Sequence, residues 1–413
     1  MGGVMRAVSC GLVLAAALLT YRTMPAEDGF YANADEGRYL YYAKEVSTQG
    51  VNRIPVLVRE YMTTPGAHPY PHPGRVGHTL ITAAWLKLFP PTFRSLAHLS
   101  FLAFLVCLGV SFHFARKYLG TDTALLYVLL LASSPLTMAA ARRVLQDSVL
   151  NCAWVGAFWL FFDYLMTPSR LRLALFTAVF ALAITIKEAS VPLIGFFALG
   201  WVIFKDRYGK PLPWLEGVVL LGAPLTLAAA IDIFFLGGLT NFLSVVRFAA
   251  SVHLSAVESP TEYAAFATGP WYKFVIDFLL LSPLTTLLAI GYFFHLLATK
   301  AFDPLRTYCV LFCVFMLATF GNLSHTKIVR FVMTLDTTLM LFTLWMLDAV
   351  FEGAERQVRS TAVILSVCVI CGLNLLNYQH LYGELQIYDP ISVWLLVGQK
   401  VLPYFNFLPG DVP

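Results

Sequence analysis

Charge is scarce in this sequence. Only 13% of its 413 residues are Asp, Glu, Lys or Arg, where a soluble domain carries about 25%. Its 28 basic and 24 acidic residues cannot cover a water-facing globule of this size, which excludes a cytosolic enzyme. They form no basic tract either, which excludes nucleic acid as a partner. A Gly-rich phosphate loop, a Walker pattern and a Gly-x-Ser-x-Gly elbow are missing, so ATP-driven transport and serine hydrolysis lose their usual support. No internal repeat and no low-complexity tract is present. Cysteine is sparse as well: Cys10, Cys107, Cys152, Cys309, Cys313, Cys368 and Cys371 all lie in apolar segments, which excludes a disulfide scaffold. Cys368 and Cys371 have the spacing of a redox or zinc pair, but in mid-run of an apolar helix Cys is usually a small apolar residue.

What the chain has instead is apolar length. Hydrophobic residues make up 58% and aromatics 15%, and the mean hydropathy is +0.71. A spanning helix needs about 20 mostly apolar residues, because its backbone must satisfy its own hydrogen bonds in hydrocarbon. On that rule spans fall near 4–21, 97–115, 122–138, 148–166, 171–187, 189–204, 214–237, 271–298, 307–323, 331–350 and 360–377. The fold class is therefore an all-α polytopic membrane protein with eleven transmembrane helices, and 76–90 reads as an amphipathic interfacial helix.

Short basic loops set the orientation. Arg116-Lys117, Arg170 with Arg172, Lys205 to Lys210, Lys300 with Arg306, and Arg356 with Arg359 occupy alternate loops, which places them and the N-terminus inside. Two long connections, 22–96 and 238–270, then face outward, and connections of that length are uncommon unless they do something. Residues 1–378 read as one transmembrane domain and 379–413 as a short outer tail, whose apolar part at 391–403 lies on the outer surface.

Five outer-side positions carry candidate chemistry. Asp35-Glu36, just past the first span, supplies either a general base for an acceptor hydroxyl or amine, or the acidic first turn of a helix. Arg38 follows, with Tyr39, Tyr41 and Tyr42. Arg142-Arg143-Val-Leu-Gln-Asp147 sits at an outer junction, where arginines commonly snorkel, although two on the outer side run counter to the positive-inside bias. Lys187-Glu188, at the turn of a tight hairpin, is either an interfacial charge pair or a phosphate ligand. His325-Thr-Lys327-Ile-Val-Arg330 would place Lys327 and Arg330 on one face if a helix has begun there. With His72 and Arg75 from the long loop, these cations compose a basic pocket suited to phosphate. Asp232, Asp277 and Asp336 lie inside apolar runs, where an ionisable residue by default marks a polar cavity.

This ordered set resembles the GT-C class of integral-membrane glycosyltransferases, in particular the dolichyl-phosphate-mannose–protein mannosyltransferase-like and aminoarabinose-transferase-like group. Asp35-Glu36-Gly-Arg38-Tyr39 matches that group's Asp-Glu-x-Arg-Tyr signature. His72-Pro73-Gly74 resembles its Lys-Pro-Pro loop, Arg143 to Asp147 its second outer acidic motif, Ala183 to Lys187 its Lys-edged hairpin, and Lys327-Ile-Val-Arg330-Phe331 its late basic motif. His72 stands where the group has Lys, Gly74 where it has the second Pro, and Phe331 where it has Tyr.

The resemblance implies an inverting transfer of a sugar from a polyprenyl-phosphate donor to a protein, lipid or glycan acceptor. Asp35, with Glu36 beside it, would serve as the catalytic base, and Asp147 would orient the acceptor or a divalent metal; metal dependence stays open. Arg38, His72, Arg75, Lys187, Lys327 and Arg330 would hold the donor phosphate. The implied location is the bacterial inner membrane, with the site facing the periplasm. A polytopic transporter or a flippase for a lipid-linked sugar is the alternative, and would place its charges at mid-membrane in paired halves. A structural membrane protein with an inactive site is a third reading.

Overall fold

The computed structural model describes residues 2–25, 35–64, 71–205, 214–254, 269–323 and 327–385, and among these all regular structure is helical. In chain order the helices are α1 (Gly2–Arg22), α2 (Asp35–Gln49), α3 (Ile54–Thr63), α4 (Val76–Leu86), α5 (Phe93–Leu119) and α6 (Thr121–Ala132). Next come α7 (Pro135–Ala141), α8 (Asp147–Met166), α9 (Arg170–Ile186), α10 (Leu193–Phe204), α11 (Trp214–Phe235) and α12 (Leu239–Leu254). The last five are α13 (Lys273–Leu281), α14 (Pro283–Thr299), α15 (Pro304–Gly321), α16 (Leu335–Val350) and α17 (Arg356–Tyr378).

Each of the eleven expected apolar segments is helical, but proline divides two of them. Pro135 and Pro283 lack the N–H that would continue the helix, so 122–138 becomes α6 and α7, bent by 64°, and 271–298 becomes α13 and α14. Among the described residues, five helices are long and apolar enough to cross a membrane, namely α5, α8, α11, α15 and α17 with its extension to Glu384, or six if α6 and α7 count as one span. The chain is an integral membrane protein.

The long connections are helical too. Residues 22–96 hold α2, α3 and α4 besides the start of α5, and 238–270 opens with α12. α2 is polar and α3 amphipathic, so a search for apolar runs passes over them. α4 falls within the helix expected at 76–90 and is apolar, with seven of its eleven residues buried. The expected surface tail at 391–403 lies outside the described residues, as does His325.

The chain forms two compact units. One contains Met24–Ala103 and Arg142–Ser259. Within it α8 packs on α9, α9 on α11 and α4, and α2 on α4. Phe161, Phe176, Phe180 and Phe197 fill the α8–α9–α10 core with ring centroids as close as 4.8 Å, edge-to-face contacts that add to plain burial. Two faces of α2 are covered: Tyr42 and Val46 pack with Ile54, Leu57 and Val245, while Leu40 and Ala43 pack with Leu86, Phe93 and Leu96. The other unit contains Met1–Thr23, Phe104–Ala141 and Pro260–Pro413. There α14 packs on α16, α1 on α6, and α16 on α6 and α15. Asp303 caps α15 by accepting the Arg306 N–H at 2.7 Å.

Candidate functional site

The first of the two units gathers most of the candidate residues. α2 begins at Asp35 and buries Glu36, Tyr39, Leu40 and Ala43, the i, i+3, i+4, i+7 stripe of a helix. Asp35 and Arg38 fall on the partly exposed side of the same helix. Glu36 is fully buried: its Oε1 accepts from Arg143 Nε at 2.5 Å and from the Val144 N–H at 3.2 Å. The Asp-Glu pair forms the acidic first turn of α2, with Asp35 partly exposed and Glu36 enclosed.

The arginines at the second junction do not snorkel. Arg142 and Arg143 are 3% and 1% exposed, in the irregular turn that leads into α8. That turn ends at Asp147, whose Oδ1 accepts from Lys187 Nζ at 3.1 Å. Lys187 follows α9 in extended conformation, and its side chain is only 3% exposed. The next turn is pinned to α8 through Ser190, which accepts from Trp154 Nε1 and donates to the Ala183 carbonyl, both at 2.8 Å. Lys187 and Glu188 are therefore not paired with each other but point to different partners.

Glu188 takes Arg75. Arg75 donates through Nε at 3.1 Å and Nη2 at 2.5 Å to the two carboxylate oxygens, and through Nη1 to Tyr39 Oη at 2.7 Å. Burial draws the Arg75 pKa down, but the Glu188 charge and hydrogen bonds outweigh it, leaving the guanidinium well above its ordinary value. Close packing of α4 on the end of α9 sets this geometry. A Cβ on Gly77 would come within 3.0 Å of the Thr185 backbone, so only glycine lets Arg75 approach Glu188. Gln146 completes the network, and sequence reasoning, which weighed only the charged members of its motif, missed it. In the amide orientation that satisfies both polar atoms, Gln146 donates to Tyr39 Oη at 2.9 Å and accepts from Arg75 at 3.0 Å and Lys187 at 3.2 Å.

His72 Nε2 lies 3.8 Å from Glu188 Oε2, its ring against Tyr61 and Phe248. Gly74 permits this, because a Cβ there would stand 2.8 Å from Val245 and 3.0 Å from the His72 ring. His72, Arg75 and Glu188 also line a cavity of about 170 Å³ whose far wall carries Asp232.

His78, one turn into α4, packs edge-to-face on Tyr39 at 4.7 Å, and neither ring nitrogen has a hydrogen-bond partner among the described residues. Burial, then the Arg75 charge, push its pKa down to about 3. The unfolded imidazole takes its proton near 6.5 and the folded one only near 3, so stability falls as pH drops through that window. We expect wild type to lose about 1–2 kcal/mol more than His78→Gln between pH 7 and pH 5, read as melting temperature in detergent. Equal acid sensitivity in both proteins would remove His78 from this role.

The other unit holds Lys327 and Arg330. Lys327 Nζ donates to the Gly269 carbonyl at 2.5 Å. The α-helix begins only at Leu335, after a 3₁₀ turn at Val329–Val332, so Lys327 and Arg330 do not share the helical face expected had a helix begun there. Two of the three acids in apolar runs have structural partners here: Asp336 accepts from Ser134 Oγ at 2.5 Å, and Asp277 pairs with Lys273 at 2.7 Å. Lys273, passed over in the sequence, is fully buried. Among the described residues, no three His, Cys, Asp or Glu side chains gather where they could hold a metal ion.

Solved structures resemble this chain over nearly its whole length. ArnT from Cupriavidus metallidurans, bound to undecaprenyl phosphate, superposes with a TM-score of 0.59 at 15% identity, covering 98% of this chain and 81% of that one. The oligosaccharyltransferase AglB from Archaeoglobus fulgidus, in complex with an inhibitory peptide and a dolichol-phosphate, gives 0.52 at 13% identity, covering 98% of this chain and 61% of that one. The fold is therefore that of the GT-C glycosyltransferases. No curated protein matches the chain. The family model described as dolichyl-phosphate-mannose-protein mannosyltransferase matches residues 71–229, the stretch that carries His72, Arg75, Gln146, Asp147, Lys187 and Glu188. The sequence match thus covers that stretch, and the likeness in fold extends over the rest of the chain.

Proposed function

We propose that this protein is an inverting glycosyltransferase of the GT-C class, which moves one sugar from a polyprenyl-phosphate donor to a protein, lipid or glycan acceptor on the outer, periplasmic side of a bacterial inner membrane. The observation that carries the reading is the buried Arg75–Gln146–Lys187 cluster inside the family-matched stretch, with α2 packed beside it. Undecaprenyl phosphate and dolichol-phosphate bound to the neighbouring structures support a lipid-phosphate donor.

In this mechanism Asp35 takes the proton of the acceptor hydroxyl or amine as its oxygen or nitrogen bonds to the anomeric carbon. The bond from that carbon to the phosphate oxygen breaks, and the electron pair leaves with the polyprenyl phosphate. Charge grows on the phosphate as it departs, and donors already aimed there stabilise it most. Arg75 and Lys187 supply two such donors, with Arg38 and His72 of the same unit beside them. Asp147 acts by holding Lys187. Glu36, buried in its pair with Arg143, positions the first turn of α2 and so positions Asp35.

The test is reconstitution of the purified protein in liposomes with a panel of polyprenyl-phosphate hexoses and pentoses and a membrane extract as acceptor. Release of free polyprenyl phosphate together with labelled product is expected. Appearance of intact sugar lipid in the opposite leaflet, without cleavage, would make the protein a flippase instead.

A further inference from the structure

The cavity beside Arg75 is not accounted for by the phosphate contacts. One wall belongs to α11, where Leu225, Ala228, Ala229, Asp232 and Leu236 recur at i, i+3, i+4, i+7 and i+11 and all face the cavity. Asp232 is the one charged residue in that apolar stripe. Its Oδ1 is buried and has no hydrogen-bond partner among the described residues. A carboxylate oxygen enclosed this way is costly unless something donates to it. Opposite walls present Phe242 and Val245 of α12, and the Thr185–Glu188 end of the hairpin.

Resting on the reading above, we propose that this cavity receives the donor's sugar ring and that Asp232 is the residue that recognises its hydroxyls. A carboxyl group offers two oxygens spaced to meet neighbouring hydroxyls of one ring, both accepting when it is ionised and one donating when it is protonated. The volume, about 170 Å³, is on the scale of a single six-membered ring, since an apolar cavity of about 150 Å³ takes a benzene. Apolar side chains suit the C–H face of a pyranose or furanose. A prenyl chain in the same place would leave Asp232 facing groups that donate nothing. Asp232 is thus a specificity residue for the sugar, separate from the cations that meet the phosphate.

The experiment compares two probes on the full-length protein in nanodiscs: bare decaprenyl phosphate, and the same lipid carrying a single hexose or pentose. Asp232→Leu should weaken the best sugar-bearing probe by roughly 10- to 100-fold, the range of a hydrogen bond to a charged group. It should leave the bare lipid within about twofold. Asp232→Asn, which keeps one acceptor oxygen, should fall between. The bare lipid also reports that each variant is folded. Parallel loss of both probes, or no change in either, overturns the proposal, and tighter binding of the bare lipid to Asp232→Leu would assign the cavity to the prenyl chain. A sugar that adds nothing to the affinity of the bare lipid for wild type overturns it as well. Failure of wild type to bind even bare decaprenyl phosphate would instead overturn the donor class, and the sugar assignment with it.

Discussion

Asp35→Asn is expected to lower transfer by roughly 10²–10⁴-fold, the usual contribution of a positioned general base, while expression and melting temperature stay near wild type. The asymmetry within α2 is the reason. Asp35 and Glu36 are adjacent, yet a helix turns about 100° per residue and gives them opposite surroundings. Glu36 is enclosed and bonded to Arg143 and Val144, whereas Asp35 stays partly exposed at the first position of the helix. A base must be reachable by an acceptor, and only the first of the pair is. Polyprenyl phosphate release in liposomes is the readout. Transfer within tenfold of wild type, in a variant that expresses normally, would end the assignment.

Glu36→Ala and Arg143→Ala are each expected to destabilise the protein by about 3–5 kcal/mol, because either breaks a buried ion pair by removing one partner. The two side chains are 0% and 1% exposed, so water cannot take the missing partner's place. Replacing both with methionine should recover more than half of that loss, since an apolar pair of similar volume avoids desolvating two ions. The double variant should nevertheless transfer poorly, because the pair fixes where α2 starts. Thermal unfolding in detergent separates the cases. Single variants as stable as wild type would mean that the pair does not hold the turn.

The sequence carried the fold class clearly, since eleven apolar segments cannot be hidden. It carried the breaks at Pro135 and Pro283 less well, because hydropathy does not register a missing N–H. α2 was legible only at its acidic first turn, and α3 not at all, because their apolar positions are spaced for a single face and interrupted by charge; α12 is apolar but too short to stand out as a span. Among the site residues, Asp147 and Lys187 were legible by type and order, and the structure brings them together. Their pairing was not legible. Adjacent Lys187 and Glu188 suggested a mutual pair, and only tertiary structure sends one to Asp147 and the other to Arg75. Gln146 was invisible for a different reason: an uncharged amide announces itself only when two cations and a phenol converge on it. Lys327 and Arg330 were legible as a motif, but the 3₁₀ turn that separates them from α16 was not.

The pairing of Lys187 with Asp147 and of Arg75 with Glu188 bears on how an anion would enter. Each of these cations already has its counter-ion, so the pocket is close to electroneutral at rest and exerts little long-range pull on a phosphate. A phosphate arriving there would gain little from long-range attraction and would be held by short-range hydrogen bonds instead, so its affinity would vary little with salt.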